Sequence, residues 1–117
     1  MMVSFDFDGT LSHKEVQEFA EIIINKGFEV WIVTARFDYD TYPVFDVAES
    51  LKIPKERIVF MNMYLKAEYF EKNSNFVWHL DNDVIELEFI NRDTKVIGIN
   101  VKNDNYKEEC LKLLKNV

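Results

Sequence analysis

A chain of 117 residues with 48% hydrophobic and 30% charged side chains suits one small folded domain and excludes a disordered tail. Its 21 Asp and Glu against 14 Lys and Arg leave a net charge of -7, which excludes a whole-chain basic footprint for nucleic acid and disfavours anionic membrane surfaces. One cysteine, Cys110, excludes an internal disulfide, no apolar run approaches a bilayer span, and the first residues lack a signal-peptide pattern, so a cytoplasmic protein without a membrane partner is expected.

In chain order, Met2–Phe7 is a short, nearly continuous apolar run of the kind that forms a strand buried on both faces. Val16, Phe19, Ala20 and Ile23 then follow helical spacing, with Gly27 placed to stop that helix. Phe28–Val33 is the second strand run. Val44, Val47, Ala48 and Leu51 repeat the helical spacing, with Pro43 in the first turn and Pro54 just past the end. Strand runs at Arg57–Met61, Phe76–Leu80 and Lys95–Ile99 alternate with shorter helical stretches at Ala67–Phe70 and Val84–Ile90. A last helix carries Tyr106, Cys110, Leu113, Leu114 and Val117 on one face. The order βαβαβαβαβα predicts a single α/β domain over residues 1–117, a three-layer Rossmann-like fold with a mostly parallel five-stranded sheet. Such sheets bind ligands outside the carboxyl ends of their strands.

Acids and a cation gather at those ends. The first strand runs into Phe5-Asp6-Phe7-Asp8-Gly9-Thr10-Leu11. Paired carboxylates there suit Mg²⁺, which takes oxygen ligands, and an aspartate can attack phosphorus. Read as structure alone, the same residues form an Asx turn. The second strand runs into Thr34, able to donate to a phosphoryl oxygen or to cap a turn. The fourth runs into His79-Leu80-Asp81-Asn82-Asp83, where Asp83 also suits the N-cap of the following helix. Lys66 opens a short helix and could hold a carboxylate and a phosphate together.

Taken together and in order, these pieces resemble the haloacid dehalogenase (HAD) superfamily of phosphohydrolases. Asp6-Phe7-Asp8-Gly9-Thr10-Leu11 matches the family's first motif, Trp31–Thr34 the second, Lys66 the weakly defined third and His79–Asp83 the acidic fourth. The resemblance implies a Mg²⁺-dependent phosphatase. Asp6 would be nucleophile and metal ligand. Asp8 would be general acid/base and ligate metal through its main-chain carbonyl. Thr34 and Lys66 would bind the phosphoryl group, and Asp81 would be the remaining carboxylate ligand. The family often has two adjacent acids at the fourth motif. Here Asn82 and then Asp83 follow Asp81, and the resemblance leaves open which of them supports the metal.

Many relatives carry a cap domain over the site. Residues 7–33 and 35–65 hold one helix and one strand each, so no cap fits, and the resemblance is to small capless members with open sites. A homo-oligomer or partner chain could cover such a site. Arg36-Phe37-Asp38-Tyr39-Asp40-Thr41-Tyr42 follows the second motif, and His13 lies in the family's flap region. Arg36 is a candidate for a second phosphate or a sugar, and Phe37, Tyr39 and Tyr42 for stacking on a base. The alternative is that these rings pack down and Arg36 pairs with Asp38 or Asp40. The stretch resembles capless polynucleotide 3′-phosphatases, although the net charge argues against tight duplex binding. The expected partner is a phosphorylated small molecule, such as a nucleotide or sugar phosphate, or an oligonucleotide end. His79 is expected as a buried, hydrogen-bonded imidazole, Trp31 and Trp78 as core, Cys110 as an inert core thiol and Glu86-Leu87-Glu88 as a solvated helix face. Two competing readings are a receiver-like phospho-acceptor domain and a non-catalytic phosphate-binding module. The first is disfavoured because the third strand ends in Val59-Phe60-Met61-Asn62, without an aspartate.

Overall fold

The structure, a computed structural model, describes residues 1–115. Val117, expected on the last helix, lies outside them. Strands β1 (Met2–Phe5), β2 (Glu29–Thr34), β3 (Ile58–Phe60), β4 (Phe76–Asp81) and β5 (Ile97–Asn100) alternate with helices α1 (Lys14–Asn25), α2 (Val44–Ser50), α3 (Lys66–Lys72), α4 (Val84–Asp93) and α5 (Tyr106–Lys115). All neighbouring strands pair in parallel, in the order β3-β2-β1-β4-β5. The expected α/β fold with a five-stranded parallel sheet is therefore observed. Among the described residues no helix is long and apolar enough to cross a membrane.

Helices α1, α2 and α5 cover one face of the sheet, where Phe5, Phe19, Ile32, Val44, Trp78 and Cys110 share a core. Helices α3 and α4 cover the other, over Val33, Phe70, Phe76 and Ile90. The apolar runs of β1, β2 and β4 reflect burial from both sides, whereas β3 and β5 are edge strands and stay partly exposed. Trp78 is fully buried and its indole N–H donates to the Cys110 carbonyl at 3.1 Å. Trp31, half-buried, packs edge-on against Phe76.

Helix α1 ends as its sequence requires. Gly27 adopts φ 94°, and the Phe28 N–H returns to the Ile23 carbonyl at 3.3 Å, closing a Schellman turn. β1 is shorter than its apolar run. It stops at Phe5 because Gly9, at φ 75°, turns residues 7–11 back under the sheet's edge, burying Phe7 and Leu11 in the process. The strand order reverses between β1 and β4, so the crevice between diverging helices opens at the carboxyl ends of these two central strands.

Candidate functional site

Asp6 leaves β1 and Asp81 ends β4 at that reversal, held side by side by the Asp6 N–H donating to the Leu80 carbonyl at 2.8 Å. Lys66, the first residue of α3, comes between them. Its Nζ lies 2.7 Å from Asp6 Oδ1 and 2.6 Å from Asp81 Oδ2, with Glu86 Oε2 at 3.9 Å. The lysine is only 2% exposed, and Asp81 is wholly buried. A buried ammonium persists only when its protons are taken up, and here two carboxylates take them. The Thr10 hydroxyl donates to Asp6 Oδ2 at 3.2 Å.

Behind Asp81 stands His79. Its Nε2 lies 2.8 Å from Asp81 Oδ2 and its Nδ1 2.8 Å from the Ser4 hydroxyl. Burial pushes the imidazole below its ordinary value, so it is neutral. Nε2–H then donates to Asp81, and Nδ1 accepts from Ser4. The expectation of a buried, hydrogen-bonded histidine is met, and its partner is the site itself.

Two carboxylates on one ammonium are unequal. Burial pushes Asp6 up to about 7, an effect that Lys66 opposes and the Asp81 charge reinforces. Burial would also raise Asp81, but the His79 hydrogen bond and the Lys66 ammonium outweigh it and hold Asp81 below the carboxylate range. Lys66 is disfavoured by burial, yet the charges of Asp6 and Asp81 raise it above its ordinary value. The lysine is charged, Asp81 is its firm counter-ion, and Asp6 shares it.

Asn82, expected only as a doubtful neighbour of the metal, is central. Its side-chain amide places one terminal atom 2.9 Å from Asp6 Oδ2 and 2.9 Å from the main-chain oxygen of Asp8. As nitrogen, that atom donates to both oxygens. Turned to present its oxygen instead, the amide would offer, with Asp6 Oδ2 and the Asp8 carbonyl, three oxygens of the kind a hard cation takes. The donor set thus fits a hard cation such as Mg²⁺. Asp6 and the Asp8 carbonyl sit where the resemblance puts ligands, while Asp81 faces Lys66 and His79. Among the described residues no group of three His, Cys, Asp or Glu is arranged to hold a cation. Asp83 turns away: its carboxylate accepts from the Ile85 and Glu86 N–H groups and caps α4.

Glu86 corrects the sequence reading. Instead of lying on a solvated face it is 7% exposed, and its Oε1 accepts the Lys66 main-chain N–H at 3.3 Å. A signal was available: an acid three residues after an N-cap aspartate, in the first turn of a helix that begins at the sheet's carboxyl edge.

Thr34 is buried at the end of β2, and its hydroxyl accepts the Arg36 N–H at 3.3 Å. Asp8 is mostly exposed and engaged by Arg36 through both oxygens, Nε–Oδ2 at 2.8 Å and Nη2–Oδ1 at 2.7 Å. This bidentate hydrogen-bonded pair holds Asp8 below the ordinary carboxylate range. The remaining Arg36 nitrogen, Nη1, donates to the Tyr42 carbonyl at 2.7 Å and to Asp40. The expected alternative for Arg36, pairing with Asp40, is thus observed; the packing-down of the rings is not, since Tyr39 and Tyr42 are exposed. His13 is exposed at the N-cap of α1, and Cys110 is buried, its thiol pushed up by burial. A broad surface hollow of about 760 Å³ lined by Phe70, Glu71, Ser74 and Arg92–Lys95 opens at the amino ends of β4 and β5, and none of Asp6, Lys66 and Asp81 lines it.

Comparison with protein-family models, with curated proteins and with solved structures gave no match.

Proposed function

We propose that this chain is a Mg²⁺-dependent phosphatase of the haloacid dehalogenase type, hydrolysing a phosphate monoester through an aspartyl-phosphate on Asp6. The observation that carries the reading is the buried Asp6–Lys66–Asp81 cluster at the carboxyl ends of the two central strands. A nucleophilic carboxylate beside a dianionic ester faces repulsion, and a charged lysine touching that carboxylate offsets it.

In the first half-reaction an Asp6 oxygen bonds to phosphorus as the phosphorus–alcohol bond breaks, and the alcohol oxygen takes a proton from Asp8. In the second, water attacks the same phosphorus, Asp8 takes the water's proton, and the bond to Asp6 breaks. Thr34 and Lys66 bind the phosphoryl oxygens. Asp6, the Asp8 carbonyl and Asn82 would hold Mg²⁺, which supplies positive charge between the nucleophile and the phosphoryl group. Arg36 keeps Asp8 ionised, as the second half requires; proton donation in the first half needs one of the two guanidinium contacts to open.

A receiver-like domain is disfavoured by strand order, because receivers place β3 beside β1 and here β3 is at the edge. A non-hydrolytic phosphate-binding module is the second reading. It draws on the same Arg36–Asp8 pair, which ties up the acid. Phosphate release in Mg²⁺ from nucleotides, sugar phosphates, 3′-phosphorylated oligonucleotides and phosphopeptides, measured on wild type and Asp6→Asn, separates the two. Release that disappears in the variant supports the phosphatase, and release that survives at full rate refutes Asp6 as nucleophile. No release from any substrate, with binding of phosphate retained, supports the module.

A further inference from the structure

The rim around the site is apolar in a way that the phosphoryl chemistry does not need. Among the described residues, eight of the eleven exposed large apolar side chains lie at the sheet's carboxyl edge. Six of them, Phe37, Tyr39, Tyr42, Met63, Tyr64 and Leu65, belong to two loops, after β2 and before α3. Tyr39 is 78% and Tyr64 68% exposed, and Phe37 and Tyr39 stack with centroids 5.4 Å apart and planes 12° from parallel.

These loops are held in place. The Asp38 N–H donates to Asn62 Oδ1 at 2.9 Å, the Met63 N–H to the Ala35 carbonyl at 2.7 Å and the Asn62 N–H to the Arg36 carbonyl at 3.1 Å. Asn62 and Met63 adopt φ of 53° and 68°, a conformation kept only where surroundings enforce it and concentrated at functional sites. The Arg36 guanidinium holds Asp8 on one edge and the Asp40–Tyr42 backbone on the other, so the loop abuts the reacting carboxylates. Leu65 directly precedes Lys66.

The rim's charge says what it will not take. Residues 37–42 and 61–65 contain no lysine or arginine, and Arg36 spends all three of its nitrogens inside the protein. Asp38 and Asp40 add negative charge beside the rings. A second phosphate would meet repulsion there with no free cation to offset it, and a polynucleotide would meet it repeatedly. A planar uncharged ring would meet pre-ordered aromatic faces.

Resting on the phosphatase reading, we propose that the two rim loops seat the alcohol portion of the substrate, and that this portion carries a planar aromatic group and no second phosphate. A nucleoside monophosphate has that chemistry, and so does a small phosphorylated aryl alcohol. The test uses substrate pairs with matched leaving oxygens: a nucleoside 5′-monophosphate against ribose 5-phosphate, and 3-phenylpropyl phosphate against propyl phosphate. Each is run on wild type, Tyr39→Ala and Tyr64→Ala. The readout is the ratio of kcat/KM within each pair, with a nucleoside 3′,5′-bisphosphate and a 3′-phosphorylated oligonucleotide alongside.

A wild-type ratio of about 5- to 150-fold is expected, the range that ring stacking gives, shrinking in either variant. A ratio above one in both pairs assigns a nucleoside; in the phenylpropyl pair alone it assigns a non-nucleoside aryl alcohol and still supports the rim. Ratios near one in both pairs overturn the inference while leaving the phosphatase standing. Faster turnover of the bisphosphate or the oligonucleotide also overturns it. Release from none of these substrates, ribose and propyl phosphates included, overturns the phosphatase reading and the inference with it.

Discussion

Asp6 is held at a cost that pH exposes. Its folded value is about 7 because of burial, against about 3.9 in an unfolded chain. Below about pH 4 the carboxyl is protonated in both states and the native state carries no penalty. As pH rises through the window from 4 to 7 the unfolded chain ionises first, so stability falls by up to about 1.4 kcal/mol per pH unit. Above 7 both states are ionised, and the loss levels out near 4 kcal/mol. Asp6→Asn keeps the shape and cannot ionise. In metal-free buffer, wild type should lose about 2–3 kcal/mol between pH 5 and pH 8 that the variant keeps. Urea unfolding of both proteins at the two pH values measures it, and other titrating groups largely cancel in the difference. Asp6→Asn is therefore expected to gain on wild type as pH rises, while losing phosphate release. A gap between the two proteins that stays constant to within about 0.5 kcal/mol would refute the claim that Asp6 is an under-compensated buried acid.

Lys66→Met leaves Asp6 and Asp81 buried without their ammonium and should cost about 3–5 kcal/mol at neutral pH, with part recovered near pH 5, where the carboxyls can protonate; urea unfolding at both pH values checks this. Mg²⁺ should raise the wild-type melting temperature, and Asn82→Ala should shrink that rise, because one of the three converging groups is lost; an equal rise in both proteins would remove Asn82 from the site. Gly9→Ala should destabilise by about 2 kcal/mol, since Gly9 sits at φ 75° and a Cβ there would lie 2.3 Å from Asn82 Nδ2. The same substitution should weaken the Mg²⁺ response by displacing Asn82, read from the same melting curves.

The apolar runs placed every strand: the central three are buried on both faces and need no alternation to be recognised, and the edge strands β3 and β5 carry short apolar runs although they stay partly exposed. Boundaries moved where a single backbone conformation decided them, as at Gly9, whose turn took Asp6 and Phe7 out of β1. The motif acids and Lys66 were legible because strand ends and a helix start are fixed by local pattern. Their partners were not. Ser4 faces His79 only because β1 and β4 pair in that register, and nothing local to either residue announces the pairing. Asn82 and Asp83 could not be ranked in sequence; the choice follows from α4, whose N-cap claims Asp83 and leaves Asn82 to point at Asp6.

That division explains where this small domain keeps its polar interior. Ser4, His79, Asp81, Lys66, Asp6 and Thr10 form one unbroken run of hydrogen bonds, with Glu86 joined to it through the Lys66 N–H. Elsewhere the two cores are built from apolar and aromatic side chains. A buried ionised group is tolerable only where each partner satisfies the next, so these charges stand or fall as a set. The strand reversal between β1 and β4 is the one place in the sheet where diverging helices leave room for such a set beside solvent. The raised Asp6 lies between Lys66 on one side and Asn82 with the Asp8 carbonyl on the other. A cation bound there would face a carboxylate that burial has raised, so its binding and the ionisation of Asp6 would be coupled.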